Sequence, residues 1–157
     1  MLLGKIIAAG ELGVRGVLWQ GSQPDEGILR MRPPLVVVNM AHDSEGTWPA
    51  PRRTHLALLK YGVPDAPAGV LPDQCLLGLV DSLIAWLKQG VHVLVHCLAG
   101  QSRSGYVVVA TLTRLTGWPI EQSLAWVQQR YEPILVREHF WQHLQRLEST
   151  LRGSQEG

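Results

Sequence analysis

Apolar positions change their period along this chain. Leu76, Val80, Leu83 and Leu87 recur at i, i+4, i+7 and i+11, which places them on one face of a helix. Pro72 suits the first turn of that helix and Gly90 its exit. Ile120, Leu124 and Val127 recur similarly after Pro119, and Phe140, Leu144, Leu147 and Leu151 do so near the end. Elsewhere the apolar runs are short. Val17-Leu18-Trp19, Leu35 to Asn39, Thr54 to Lys60 and Val91 to Val95 read as strands. The last follows Gly90 and is rich in valine, as a buried parallel strand should be. Strand, helix, strand and then a run of helices predicts an α/β fold. It is a single domain whose central, mainly parallel sheet of four to five strands is flanked by helices.

One stretch resists its own local preference. Residues 104–116 contain Val107, Val108, Val109, Thr111 and Thr113, which favour a strand. A helix is nonetheless expected there, because an anion site at its N-terminus needs one, and tertiary burial has to override propensity. Residues 40–53, with Asp43, Pro49, Pro51 and the pair Arg52-Arg53, read as a surface loop. The domain is expected to span 1–151, followed by a flexible polar tail over 152–157. The opening run Met1 to Gly10 is short and lacks a basic leader, so no secretory signal is expected. No apolar run approaches the length of a membrane span.

Composition narrows the function classes. The chain has 157 residues, the size of one ordinary domain, and at 46% apolar and 17% charged it is globular rather than disordered. Net charge is +1, so no global field draws nucleic acid or an acidic membrane. An anion site must be built locally. Two cysteines, Cys75 and Cys97, are too few for a disulfide framework and suit a reducing, cytoplasmic setting.

Such a local site is written in Val95-His96-Cys97-Leu98-Ala99-Gly100-Gln101-Ser102-Arg103-Ser104-Gly105. A cysteine ends the valine-rich strand, five residues follow, and an arginine opens the next helix. Ligands of α/β proteins gather at that end of a parallel strand. Gly100 permits a tight bend. The backbone N–H groups of Leu98, Ala99, Gly100, Gln101, Ser102 and Arg103 can then converge on one point, a ready anion site at a helix N-terminus. Arg103 adds a planar fork for two phosphate oxygens. The same field favours the thiolate of Cys97, which beneath a bound phosphate is a nucleophile in position to attack. The Ser104 hydroxyl can reach back to the sulfur and help it leave.

The run His96, Cys97, Gly100, Arg103, Ser104 resembles the signature loop of the protein tyrosine phosphatase superfamily at every fixed position. Leu18-Trp19-Gln20-Gly21-Ser22 is similar to an early strand and turn of its compact dual-specificity branch, and Phe140 and Leu144 before Glu148 to that branch's last helix. The resemblance implies the cysteine-phosphatase fold and a general acid on a loop upstream. Asp65, in Tyr61-Gly62-Val63-Pro64-Asp65-Ala66-Pro67, stands 32 positions before Cys97 and is the candidate. Asp73 is the runner-up, though it better suits the first turn of a helix. His96 is read as a support for the loop.

The resemblance implies hydrolysis of phosphate monoesters through a phosphocysteine, with neither cofactor nor metal. The expected substrate is a phosphorylated protein or peptide, carrying phosphotyrosine with or without phosphoserine and phosphothreonine. No residue between Cys97 and Arg103 is basic, which argues against a heavily charged inositol headgroup; RNA 5′-phosphate is disfavoured by the balanced charge. The chain reads as a monomer without nucleic-acid or membrane partners. A phosphate-binding module without turnover is the rival class. His139 and His143 have metal-ligand spacing but no third ligand, and read as a solvated helix face. His92 and His96 share a strand face and read as structural. Cys75, Trp86, Trp126 and Trp141 read as packing.

Overall fold

The computed structural model describes residues 1–25, 28, 31–43 and 55–153. Five strands, β1 (Leu3–Ile7), β2 (Leu18–Gly21), β3 (Leu35–Ala41), β4 (His55–Val63) and β5 (His92–His96), join in the order β1-β2-β5-β3-β4. β1 is antiparallel to β2, and every other pairing is parallel. Four helices follow or interrupt them: α1 (Asp73–Lys88), α2 (Arg103–Thr116), α3 (Ile120–Arg130) and α4 (Glu138–Arg152).

The expected α/β sheet is therefore present, with one strand the sequence reading overlooked. β1 occupies the opening apolar run, which carries too little alternation to announce a strand. It lies at the edge, where one neighbour suffices. β3 is buried over its whole length, as a central parallel strand should be. Its alternate residues serve two layers. Val36, Val38 and Met40, with Val93 and Val95 of β5, face the large core that holds the buried residues of the helices. Leu35, Val37 and Leu94 face a smaller cluster with Ile28 and Met31, against which Met1, Leu3 and Trp19 pack.

α2 explains how valines and threonines come to form a helix. Every residue from Arg103 to Thr113 is buried, between the sheet and the other helices. Thr111 Oγ1 donates to the Val107 carbonyl at 2.8 Å, and Thr113 Oγ1 meets Ser123 Oγ at 2.7 Å. The hydroxyls are satisfied locally and the methyls fill core, so burial outweighs the modest propensity penalty. Cys75 and the three tryptophans at helical positions pack partly buried against the core as read, and Trp126 also donates to the Ile6 carbonyl at 2.8 Å.

Three boundaries move. Met40 and Ala41 extend β3 rather than opening a loop, and residues 44–54, with Arg52 and Arg53, lie outside the described residues. Tyr61, Gly62 and Val63 belong to β4, so the Asp65 loop is shorter than the sequence suggests. Arg152 is helical and its Nε donates to the Gly117 carbonyl at 2.8 Å; residues 154–157 of the expected tail lie outside the described residues. No helix among the described residues is long and apolar enough to cross a membrane.

Candidate active site

Cys97 sits where β5 ends and Arg103 where α2 begins, both nearly buried. Between them the carbonyls of Leu98, Gly100 and Gln101 turn outward to neighbouring segments, and that of Ser102 accepts the first bond of α2. Leu98 O accepts from Gln23 N–H at 3.0 Å, Gly100 O from the Tyr131 hydroxyl at 2.7 Å, Gln101 O from Leu135 N–H at 3.3 Å and Ser102 O from Tyr106 N–H at 2.8 Å. In a planar trans peptide the C=O and the following N–H point in opposite directions. Outward carbonyls therefore turn the N–H groups of Ala99, Gln101, Ser102 and Arg103 towards the concave side, as an anion nest requires.

Gly100 has φ 75°, a left-handed conformation that favours glycine. A Cβ there would lie 2.5 Å from the Tyr131 hydroxyl and 2.7 Å from Ser22 N. Both the bend and the contact thus demand glycine. The Tyr131 hydroxyl is pushed up to about 12 by burial and by neighbouring Cys97, so it stays a neutral donor to the loop.

Ser104 Oγ lies 3.4 Å from Cys97 Sγ and accepts from Gln20 Nε2 at 3.1 Å. In the thiol form Cys97 Sγ–H donates to that oxygen, so the hydroxyl and the sulfur lie within hydrogen-bond reach of each other. His96 is fully buried, and burial pushes its imidazole down to about 4 despite its contact with the Cys97 carbonyl at 3.5 Å. A neutral, buried imidazole suits support of the loop rather than proton transfer at neutral pH.

Arg103 is held on one side. Its Nη1 donates to Asp43 Oδ1 at 2.9 Å and to the Val63 carbonyl at 2.9 Å, with His42 Nδ1 at 3.5 Å. Burial raises the Asp43 carboxyl, but the hydrogen bond and charge of Arg103 outweigh this and hold it below the usual carboxylate range. Asp43 is therefore an anionic partner that fixes the guanidinium. The sequence offered no signal for it, because Arg103 lies 60 positions away.

Asp65 lies beyond β4 on a short loop closed by the turn Pro67–Gly69. Gly69 approaches so closely that a Cβ would meet the Pro64 carbonyl oxygen at 1.9 Å. Arg137 Nε donates to Asp65 Oδ2 at 2.9 Å, and His139 Nε2 meets Oδ1 at 3.1 Å. The backbone N–H of Arg137 donates to Ser102 Oγ at 3.0 Å. Arg137 thereby joins the acid loop to the cysteine loop. At the far end, Leu71 N–H donates to the Tyr106 hydroxyl at 3.3 Å.

The runner-up acid has another task. Asp73 opens α1 and meets His143 Nε2 at 2.8 Å, while His143 Nδ1 meets the Tyr106 hydroxyl at 2.6 Å. The expectation of a solvated helix face for His139 and His143 is thus wrong. His143 is fully buried and His139 mostly so. α4 leans on α2 through this face, and Phe140 stacks on Tyr106 with centroids 4.5 Å apart. Polar spacing alone cannot tell a wet face from one whose polar groups are paired inside. His92 is structural as read, accepting from Val17 N–H at 3.0 Å.

The family model for the dual specificity phosphatase catalytic domain matches residues 73–150, which contain the whole cysteine loop. The chain belongs to the dual-specificity branch of the protein tyrosine phosphatase superfamily. Protein-tyrosine-phosphatase IBR5 of Arabidopsis thaliana is 43% identical over 68 residues, which are 43% of this chain and 26% of that protein. Dual specificity protein phosphatase 1 of the same plant is 35% identical over 82 residues, 52% of this chain and 39% of that protein. The matches thus span well under two thirds of these relatives. The crystal structure of human DUSP28 superposes with a TM-score of 0.76 at 25% identity, covering 98% of this chain and 97% of that one. This dual-specificity likeness extends the branch's fold over the segments outside the matched region, including β1 to β4.

Proposed function

We propose that this chain is a cysteine-dependent phosphatase of protein phosphotyrosine, with or without phosphoserine and phosphothreonine, working through a phosphocysteine. The single observation that carries the reading is the outward turn of the loop carbonyls around Cys97. It supports a nest in which the N–H groups of Ala99, Gln101, Ser102 and Arg103 turn to the concave side, beside a sulfur 3.4 Å from Ser104 Oγ.

The steps follow from that geometry. A phosphate monoester docks with its oxygens on the amides of residues 98–103. Because Nη1 of Arg103 is occupied by Asp43 and the Val63 carbonyl, its Nε and Nη2 form the pair for two phosphate oxygens. The Cys97 thiolate attacks phosphorus, and Asp65 gives its proton to the departing oxygen. Water then attacks the phosphocysteine, Asp65 takes the water proton, and the S–P electron pair returns to sulfur with the Ser104 hydroxyl donating to it. His96 supports the strand end. The mechanism requires no metal, and activity is expected to survive EDTA.

Protein substrates are favoured over an inositol phosphate because residues 98–102 supply no lysine or arginine. PTPMT1, crystallised with PI(5)P, shares the fold with a TM-score of 0.76 but only 18% identity, a likeness of fold alone. The reading places the enzyme in the cytoplasm as a monomer. The test is p-nitrophenyl phosphate turnover, followed by a panel of phosphopeptides, phosphoinositides and 5′-phosphorylated RNA. Cys97→Ser is expected to abolish turnover while inorganic phosphate still binds. Substantial hydrolysis by that variant overturns the mechanism, and phosphate bound without turnover by the unaltered chain would establish the binding module instead.

A further inference from the structure

Gln20 is a fully buried amide on β2, beneath the cysteine loop, and no step above uses it. Its Oε1 has no hydrogen-bond partner among the described residues. A leucine of similar volume would leave no polar atom unsatisfied in that place. The amide therefore calls for a reason other than packing.

Its contacts supply one. The Gly100 carbonyl, 3.5 Å away, can only accept, so the atom facing it is the NH2 nitrogen. The same nitrogen donates to Ser104 Oγ at 3.1 Å. A hydroxyl that accepts there keeps its own hydrogen. The Cys97 thiol donates to the same oxygen at 3.4 Å, but as thiolate or as phosphocysteine the sulfur carries no hydrogen and becomes the acceptor for the hydroxyl.

We propose that Gln20 is a positioning residue that aims the Ser104 hydroxyl hydrogen at Cys97 Sγ and so speeds breakdown of the phosphocysteine. The inference rests on the phosphatase reading above. In that step a water oxygen bonds to phosphorus and the S–P bond breaks. Its electron pair passes to sulfur, the water proton goes to the Asp65 carboxylate, and inorganic phosphate leaves. Charge grows on sulfur as the bond breaks, so a hydrogen bond already aimed there is worth more in the transition state than before it.

The experiment is rapid-mixing kinetics of the purified chain on p-nitrophenyl phosphate. Gln20→Leu is expected to lower kcat about fivefold, the rate equivalent of one ordinary hydrogen bond. kcat/KM should stay within about twofold, because it reports only the steps through phosphocysteine formation. A burst of nitrophenol should grow towards one per enzyme as the intermediate accumulates. Ser104→Ala should share this signature, and the double variant should be no slower than Ser104→Ala alone. Inhibition by inorganic phosphate should not move. Gln20→Met serves if the leucine variant fails to fold, as read from its urea midpoint. Equal losses in kcat and kcat/KM, a missing burst, or effects that multiply in the double variant would each overturn the inference while leaving the phosphatase reading intact. Absence of any nitrophenol release from the unaltered chain would sink both.

Discussion

The cysteine loop and the acid loop lie side by side yet are held by different physics. In the loop from Cys97 to Arg103, Cys97, Gly100, Ser102 and Arg103 are buried and Leu98 and Ala99 exposed. Its carbonyls are held by neutral hydrogen bonds from Gln23, Tyr131 and Leu135, while Arg103 at its end pairs with Asp43. The loop around Asp65 is secured by charge-assisted contacts, and the Arg137 side chain that makes one of them is 55% exposed. Neutral hydrogen bonds to the loop carbonyls are not loosened by salt, so they would hold the proposed oxyanion receptor in a fixed shape. A half-exposed ion pair is screened and weak, typically about 0.2–1 kcal/mol, so Asp65 is held without being locked. On the proposed mechanism the receptor must be rigid to stabilise charge, whereas the proton donor must let substrate in and the leaving group out.

Four outcomes break or sharpen this contrast. Asp65→Asn removes the proton donor and should lower kcat on an alkyl or unsubstituted phenyl phosphate by ~10²–10⁴-fold, with a much smaller loss on p-nitrophenyl phosphate. Equal losses on both would take the acid role away from Asp65. Gly100→Ala should damage the buried side of the comparison. The left-handed backbone and the overlap with Tyr131 and Ser22 together predict a loss of about 2–5 kcal/mol in urea unfolding and weaker inhibition by phosphate. A variant of native stability would show that the loop has slack.

His96 tests the same side by pH. Its folded value of about 4 lies below the 6.5 of an unfolded imidazole, so above pH 6.5 both states are neutral and nothing changes. As pH falls from 6.5 to 4 the unfolded chain takes a proton that the folded chain refuses, and stability should drop by about 3 kcal/mol. Urea curves across that window should lose this part of the slope in His96→Asn; an unaltered slope would assign it elsewhere. The smallest effect belongs to the rim. Arg137→Ala should slow poor leaving groups up to about fivefold and leave good ones alone, and 0.5 M salt added to the unaltered chain should mimic part of it. A loss shared by all leaving groups would mean that Arg137 matters through Ser102 rather than Asp65.

Much of the site was legible because its chemistry is local. Cys97, Gly100, Arg103 and Ser104 fall within eight consecutive positions, and a strand-loop-helix unit can be read from spacing alone. Asp65 was reached by a resemblance rather than by its own surroundings. What supports them was invisible for the opposite reason. Gln20, Asp43, Tyr131, Arg137 and His143 act across separations of 31 to 84 positions, and nothing in a one-dimensional pattern pairs them. One hint did exist for Gln20, a polar residue inside an apolar strand run, which is a signal of a satisfied or functional buried group.

By itself the sequence determined the element types with clear periods, the parallel character of the central strands and the strand-loop-helix unit that carries Cys97 and Arg103, since each depends on neighbours within a turn or two of chain. Only the tertiary structure decided that β1 lies at the sheet edge, what burial holds valines 107–109 in their helix, that His143 is buried, and which loop carbonyls turn to the scaffold. Those outcomes turn on desolvation and hydrogen-bond partners supplied by distant segments. Such terms outweigh local propensity once the chain has closed around them.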